Sequence, residues 1–246
     1  MSAHNHPKDA SHCDAGTLLG YTPRLGENVL LEAAKNTLLI LSALFPIVNP
    51  LGGSPIFLSL TRSYPPEARW TLSRAIAVNS LFLLIGSYLI GTHILSFFGI
   101  SIPVVQVGGG LVVISTGWTM LKHRDEDERT EVHRNVTKED LARQAFYPLT
   151  LPLTVGPGSI SVAITLGANV PRESGFNFTT TIAAIIGMTL IALSIVLCYG
   201  FSDRLAKVAG PTAMSVILRL SSFLLLCIGI QILWNGVTAL LKTVKI

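Results

Sequence analysis

The feature that most constrains this chain is its succession of long apolar runs bounded by charge or by Pro and Gly, near residues 29–60, 71–98, 102–121, 144–168, 178–201 and 212–241. A span of the bilayer core takes about 20 apolar residues as a helix, so six spans use about 120 residues and leave short loops. Within hydrocarbon the backbone must satisfy its own hydrogen bonds, which restricts spanning structures to helices and closed barrels. Continuous runs such as Leu81 to Ile90 and Phe223 to Ile230 lack the alternation of barrel strands, so helices are expected. Composition agrees: of 246 residues, 50% are hydrophobic and only 13% charged, with a mean hydropathy of +0.56. A soluble domain carries about 25% charged residues.

What charge there is crowds into the N-terminal tail and the stretch Lys122 to Arg143. The net charge of +4 is scattered over membrane-flanking segments without a basic face interleaved with aromatics, which argues against nucleic acid as a partner. Residues 1–28 contain Asp9, Asp14 and Glu27 and lack the basic start and apolar core of a cleaved signal, so they read as a disordered extramembrane tail. Loops after the odd-numbered spans hold eleven Lys and Arg and the opposite face holds six, Arg219 lying within a span. The positive-inside rule then places the odd loops in the cytoplasm and both termini outside. Trp70, Trp118 and Trp234 fall near span ends, as an interfacial belt requires.

An internal repeat organises the runs. Leu44-Phe45-Pro46-Ile47-Val48-Asn49-Pro50-Leu51-Gly52-Gly53-Ser54-Pro55 resembles Leu151-Pro152-Leu153-Thr154-Val155-Gly156-Pro157-Gly158-Ser159, each in mid-span. Gly99 and Gly117 of the third span likewise match Gly210 and Gly229 of the sixth within one residue of spacing, with Pro103 and Pro211 following the first Gly of each pair by four residues and by one. Three spans per half invert the second copy, giving an all-α membrane protein of six transmembrane helices as an inverted three-plus-three repeat with broken first and fourth helices. The expected organisation is a tail (1–28), a first repeat (29–121), a charged cytoplasmic connector (122–143) and a second repeat (144–246).

Pro lacks an N–H and clashes with the preceding turn, while Gly tolerates unwound backbone. Broken helices at matching positions of inverted halves point to a midplane substrate site. Half-helices starting after Pro50 and Pro157 are expected to aim their N–H groups at an anionic group such as a carboxylate. The candidate substrate-binding residues are therefore Asn49, Pro50, Gly52, Gly53, Ser54, Thr154, Gly156, Pro157, Gly158 and Ser159, with Arg219 from the sixth span. Arg219 has two open readings: snorkelling to the interface, or holding a substrate carboxylate. Ordinary packing kinks are the competing reading of a single Pro-Gly pair, and the recurrence at symmetric positions favours a site.

Read together, F-P-I-V-N-P-L-G-G-S-P-I-F-L-S-L at 45–60, F-G-I-S-I-P-V-V-Q-V-G-G-G-L at 98–111, P-L-T-V-G-P-G-S-I at 152–160 and G-I-Q-I-L-W-N-G at 229–236 resemble the MarC family of bacterial and archaeal membrane proteins. The resemblance covers about residues 30–243 and implies a six-helix integral protein of the bacterial inner membrane, so that termini outside are periplasmic, related in architecture to LysE-type exporters, some members being described as neutral amino-acid transporters. It departs at Gln106, where the family commonly carries Arg, whereas Arg219 follows the pattern.

Apart from Glu32 near the outer end of the first span, the spans hold no Asp or Glu, so a carboxylate proton relay is not expected. His93 sits near an interface and leaves proton coupling open. His4, His6, His12 and Cys13 lie in the polar tail, and Cys198 and Cys227 lack metal-like spacing, so neither metal nor cofactor is expected. Ser and Thr without a partner base argue against an enzyme. The expectation is a secondary transporter of small neutral amino acids or similar polar metabolites, acting in the bilayer on a small-molecule substrate. A channel or a structural or regulatory membrane protein is the alternative, and homo-oligomerisation is open.

Overall fold

The computed structural model describes residues 22–122, 142–170 and 178–243. They form eight helical elements: α1 (Thr22–Val48), α2 (Pro50–Leu60), α3 (Pro66–Phe97), α4 (Ile102–Lys122), a wide-turned α5 (Ala145–Thr154), α6 (Pro157–Ala168), α7 (Phe178–Gly200) and α8 (Ser202–Thr243). No strand occurs among the described residues. Five stretches are long and apolar enough to cross a membrane: Val29–Leu60, Pro66–Phe97, Ile102–Lys122, Phe178–Gly200 and Thr212–Thr243. A sixth crossing forms if Ala142–Thr154 and Pro157–Ala168, bent by 71° at their junction, are one broken span.

These are the six apolar runs of the sequence, with small shifts at their ends. The second begins earlier, at Pro66, because Pro at the first helical position loses no hydrogen bond and starts a helix readily. Helix α1 begins at Thr22, inside the segment expected to be tail. Residues 1–21 and most of the charged connector, 123–141, lie outside the described residues. The 21 residues of α4 rise about 31 Å, matching a hydrocarbon core of about 30 Å. The 32 residues of α3 rise about 48 Å and must tilt or project beyond it.

Lipid tails are as apolar as Leu, so helix association in a bilayer depends on close packing and hydrogen bonding. The closest seam joins antiparallel α4 and α8, which meet glycine against glycine. A Cβ on Gly110 would lie 2.9 Å from the Gly229 carbonyl, and one on Gly229 3.1 Å from the Gly110 carbonyl. Helix α3 packs on α5, α6 and α7; α1 packs on α7; α2 packs on α7 and α8; α4 packs on α6 as well as α8. Leu44, Phe57, Ile76, Leu84, Met188, Ile191, Ile195 and Tyr199 are buried at the centre. Hydroxyls in the helices largely donate back to their own turns, as Thr61 does to the Phe57 carbonyl at 2.7 Å and Ser222 to that of Leu218 at 2.6 Å.

Candidate substrate site at the paired helix breaks

The two breaks differ in kind. Between α1 and α2 only Asn49 leaves the helix, with φ 48° and ψ 58°. Asn is among the few side chains that adopt this left-handed geometry readily, and the residue before Pro50 is steered away from the right-handed helix. The ladder survives on both sides: Asn49 N–H donates to the Phe45 carbonyl and Gly53 N–H to the Asn49 carbonyl, each at 2.9 Å. Asn49 Oδ1 accepts from Gly52 N–H at 3.1 Å, an N-cap on α2. The expectation that α2 presents free N–H groups to a ligand is therefore corrected, because its own cap takes one of them and the adjoining turn another.

The second break is wide. Tyr147 and Leu151 leave helical geometry inside α5, where Pro148 and Pro152 remove donors. Thr150 and Thr154 return hydroxyl donors to the Ala145 and Leu149 carbonyls at 2.6 and 2.7 Å. Gly156 then caps α6 in extended conformation with no side chain to cover the helix end. The first N–H groups of α6 that a helix leaves unpaired, those of Gly158 and Ser159, are at a positive helix end with no side-chain cap.

Both breaks meet in one cleft. Asn49, Gly53, Thr154, Gly156, Gly158 and Ser159 line it, opposite Val113 and Thr116 of α4 and Leu225 of α8. The cleft has room for about 30 Å³, enough for about two or three water molecules at about 10–15 Å³ each. With Oδ1 fixed by the Gly52 N–H, the other Asn49 amide atom is a donor; Nδ2 is buried without a hydrogen-bond partner. An unpaired buried donor is costly and marks where an acceptor is missing.

Pro50, Gly52 and Ser54 are buried and shape the first break without lining the cleft. Ser54 Oγ donates to the Cys198 carbonyl at 3.0 Å, and Gly52 faces Ser221 of α8. Pro157 starts α6 and is exposed. Arg219 is not brought to the site: it is exposed on α8 and absent from the cleft wall. Seven residues beyond the start of the span at Thr212, its long side chain is placed to reach the interface.

The residue that sequence reasoning missed is Tyr199. Fully buried near the end of α7, it lies within 3.0 Å of Thr154 Oγ1, and because that hydroxyl donates to Leu149, the tyrosine O–H is the donor. Its ring stacks on Phe57 at 4.7 Å, and its hydroxyl occupies the space beside Gly53. One side chain thus bridges the first break and the second. The available signal was a lone phenol closing an otherwise non-aromatic run from Ile182 to Cys198.

A bundle of apolar crossings around paired helix breaks defines a multi-pass integral membrane protein. The MarC family integral membrane protein model matches residues 35–241, and the chain belongs to that family. It is 31% identical to the inner membrane protein MarC of Salmonella arizonae over 208 residues, covering 82% of this chain and 94% of the relative. To the inner membrane protein MarC of Escherichia coli it is 31% identical over 219 residues, covering 87% and 99%. These relatives place it in the inner membrane. No solved structure matches the chain.

Proposed function

We infer that the protein is a secondary transporter that moves small neutral amino acids or similar polar metabolites by alternating access, without catalysis. The observation that carries this reading is the convergence of the two helix breaks on one uncharged cleft that ends in an unpaired Asn49 amide and an uncapped α6. A carboxylate seated there would accept from Asn49 Nδ2 and from the α6 N-terminus. Among the described residues lining the cleft none carries a formal charge, so the site favours a solute without large net charge.

An inverted three-plus-three repeat is part of the proposal, and the helix pairings support it. Exchanging the halves turns the α3 contacts with α5 and α6 into those of α7 with α1 and α2, and the α4–α6 contact into that of α8 with α2, while α3–α7 and α4–α8 map onto themselves. Gly99 and Gly210, matched in the repeat, both have positive φ, 67° and 75°. A channel, the alternative reading, differs in giving flux that neither saturates nor shows counterflow.

The test is counterflow of labelled alanine, glycine and serine in proteoliposomes. The expected result is saturable counterflow, abolished in folded Asn49→Ala and Gly156→Leu variants. Absence of flux with correctly inserted protein would remove the amino-acid assignment and favour other solutes or a structural role.

A further inference from the structure

A second cavity, of about 340 Å³, lies apart from the cleft. It falls within the size range of small-molecule sites, about 300–1,000 Å³, whereas the cleft holds little more than water. Its walls come from α1 before the break, the first turns of α4, the end of α6 and the last third of α8. The α4, α6 and α8 segments lie toward the face of the bundle where α4 begins and α6 and α8 end, and α1 contributes its last two turns before the break.

Four polar side chains line it, Ser42, Gln106, Thr165 and Asn235, and no lining residue is charged. The amides and hydroxyls supply both donors and acceptors. The Ser42 and Thr165 hydroxyls donate to the Leu39 and Ser161 carbonyls and Asn235 Oδ1 accepts from Gln231, so the Gln106 amide, Asn235 Nδ2 and the hydroxyl lone pairs are what the pocket offers a solute. A strongly charged solute would find no counter-charge.

Between this chamber and the cleft stands an apolar cluster. Ile47, Val113 and Leu225 are buried against one another, and Val162, Ile228 and Ile232 pack on them. The first three line the cleft, the last three line the chamber, and Ile47 lines both. Ile47 also lies two residues before Asn49, so movement at the left-handed hinge moves the barrier with it.

We propose that the chamber is a vestibular binding station for a small uncharged-polar or zwitterionic solute, and that Ile47, Val113 and Leu225 form the apolar gate through which that solute reaches the breaks. Such a constriction excludes water and polar solutes while closed, and opening requires side chains to part without separating a charge pair. The identity of the solute rests on the transport reading above; the existence of a hydrated chamber behind a gate does not.

The test is thiol accessibility in the full chain, with Cys13, Cys198 and Cys227 replaced by Ala and a small membrane-impermeant methanethiosulfonate added from the chamber face. Ser42→Cys and Thr165→Cys are expected to react, lipid-facing Ile230→Cys to stay inert, and Ser159→Cys in the cleft to react slowly. Adding Ile47→Ala or Leu225→Ala should speed the Ser159→Cys reaction by about tenfold, the effect of opening made 1.4 kcal/mol easier. Alanine, glycine or serine should slow labelling of Thr165→Cys. Gel filtration selects folded variants, and Val113→Ala serves if neither of the other gate variants folds.

A Thr165→Cys thiol as inert as Ile230→Cys would mean a lipid-filled pocket and overturn the proposal. So would Ser159→Cys reacting as fast as Thr165→Cys with the gate intact, or labelling at Thr165→Cys indifferent to all three solutes. The expected labelling and protection without counterflow would leave the station standing and sink transport. Counterflow with an inert Thr165→Cys would do the reverse.

Discussion

At the scale of single residues, the contact between Gly53 and Tyr199 joins the two breaks most directly. A Cβ at Gly53 would stand 2.4 Å from the Tyr199 hydroxyl oxygen but 3.3 Å from the ring carbon that bears it. Gly53→Ala is therefore expected to destabilise the protein by about 1–3 kcal/mol, the usual cost of overpacking. Tyr199→Phe alone should cost about 1 kcal/mol by removing the donor to Thr154. In the double variant the oxygen that clashes is gone, so the two costs should be less than additive. Thermal unfolding of the four proteins in detergent measures the cycle, and strict additivity would show that the phenol does not set the space at Gly53. Most of the break residues were legible because Pro, Gly and Asn are read by backbone chemistry. Tyr199 was not, since its role depends on a stacking partner in another helix and a hydroxyl across the bundle, neither of which leaves a local pattern.

At the scale of elements, three successive glycines in α4 separate backbone propensity from packing. A Cβ on Gly108 meets nothing within 4 Å, one on Gly109 meets Ser161 Cβ at 2.5 Å, and one on Gly110 meets the Leu233 backbone nitrogen at 2.6 Å. Gly108→Ala is expected to be neutral or to stabilise by up to about 1 kcal/mol, the ordinary helix preference for Ala. Gly109→Ala and Gly110→Ala should destabilise. Gly110→Ala should cost the more, because the obstructing atom is backbone and α8 as a whole must retreat. Melting temperatures of the three variants check the order, and a stable Gly110→Ala would deny the α4–α8 seam. The sequence showed that these glycines existed and that the third and sixth spans matched, but not which of the three faced α8. With apolar residues on every side, the helix has no polar face to orient it, as a soluble helix would. The unequal breaks were illegible for a related reason: both segments read as Pro-Gly interruptions, while only Asn49 carries a side chain able to cap the following helix.

At the scale of the whole molecule, one face of the bundle is braced and basic. Arg69 Nη1 meets Asp203 Oδ1 at 2.5 Å, tying the start of α3 to the start of α8, and the Tyr64 hydroxyl bonds Gln144 Oε1 beside it. Basic groups sit over aromatic rings at the same end: Arg74 over Trp70 at 5.3 Å, Lys122 over Trp118 at 5.0 Å and Arg204 over Phe201 at 5.3 Å. Cation–π pairs of this kind suit the headgroup layer, where a ring can stay in the apolar edge while its charge stays wet. We propose from the Lys and Arg bias that this face is cytoplasmic. If the bent pair is one span, giving six crossings, both termini and the proposed vestibule then lie on the other side. A C-terminal alkaline phosphatase fusion should then be active and a C-terminal fluorescent-protein fusion dark, because the first folds in the periplasm and the second does not fluoresce when exported unfolded. A fusion truncated after Lys122, at the basic end of α4, should give the opposite pattern. If the full-length phosphatase fusion were inactive and the fluorescent one bright, the vestibule would face the cytoplasm, and a solute collected there would be positioned for export instead of uptake.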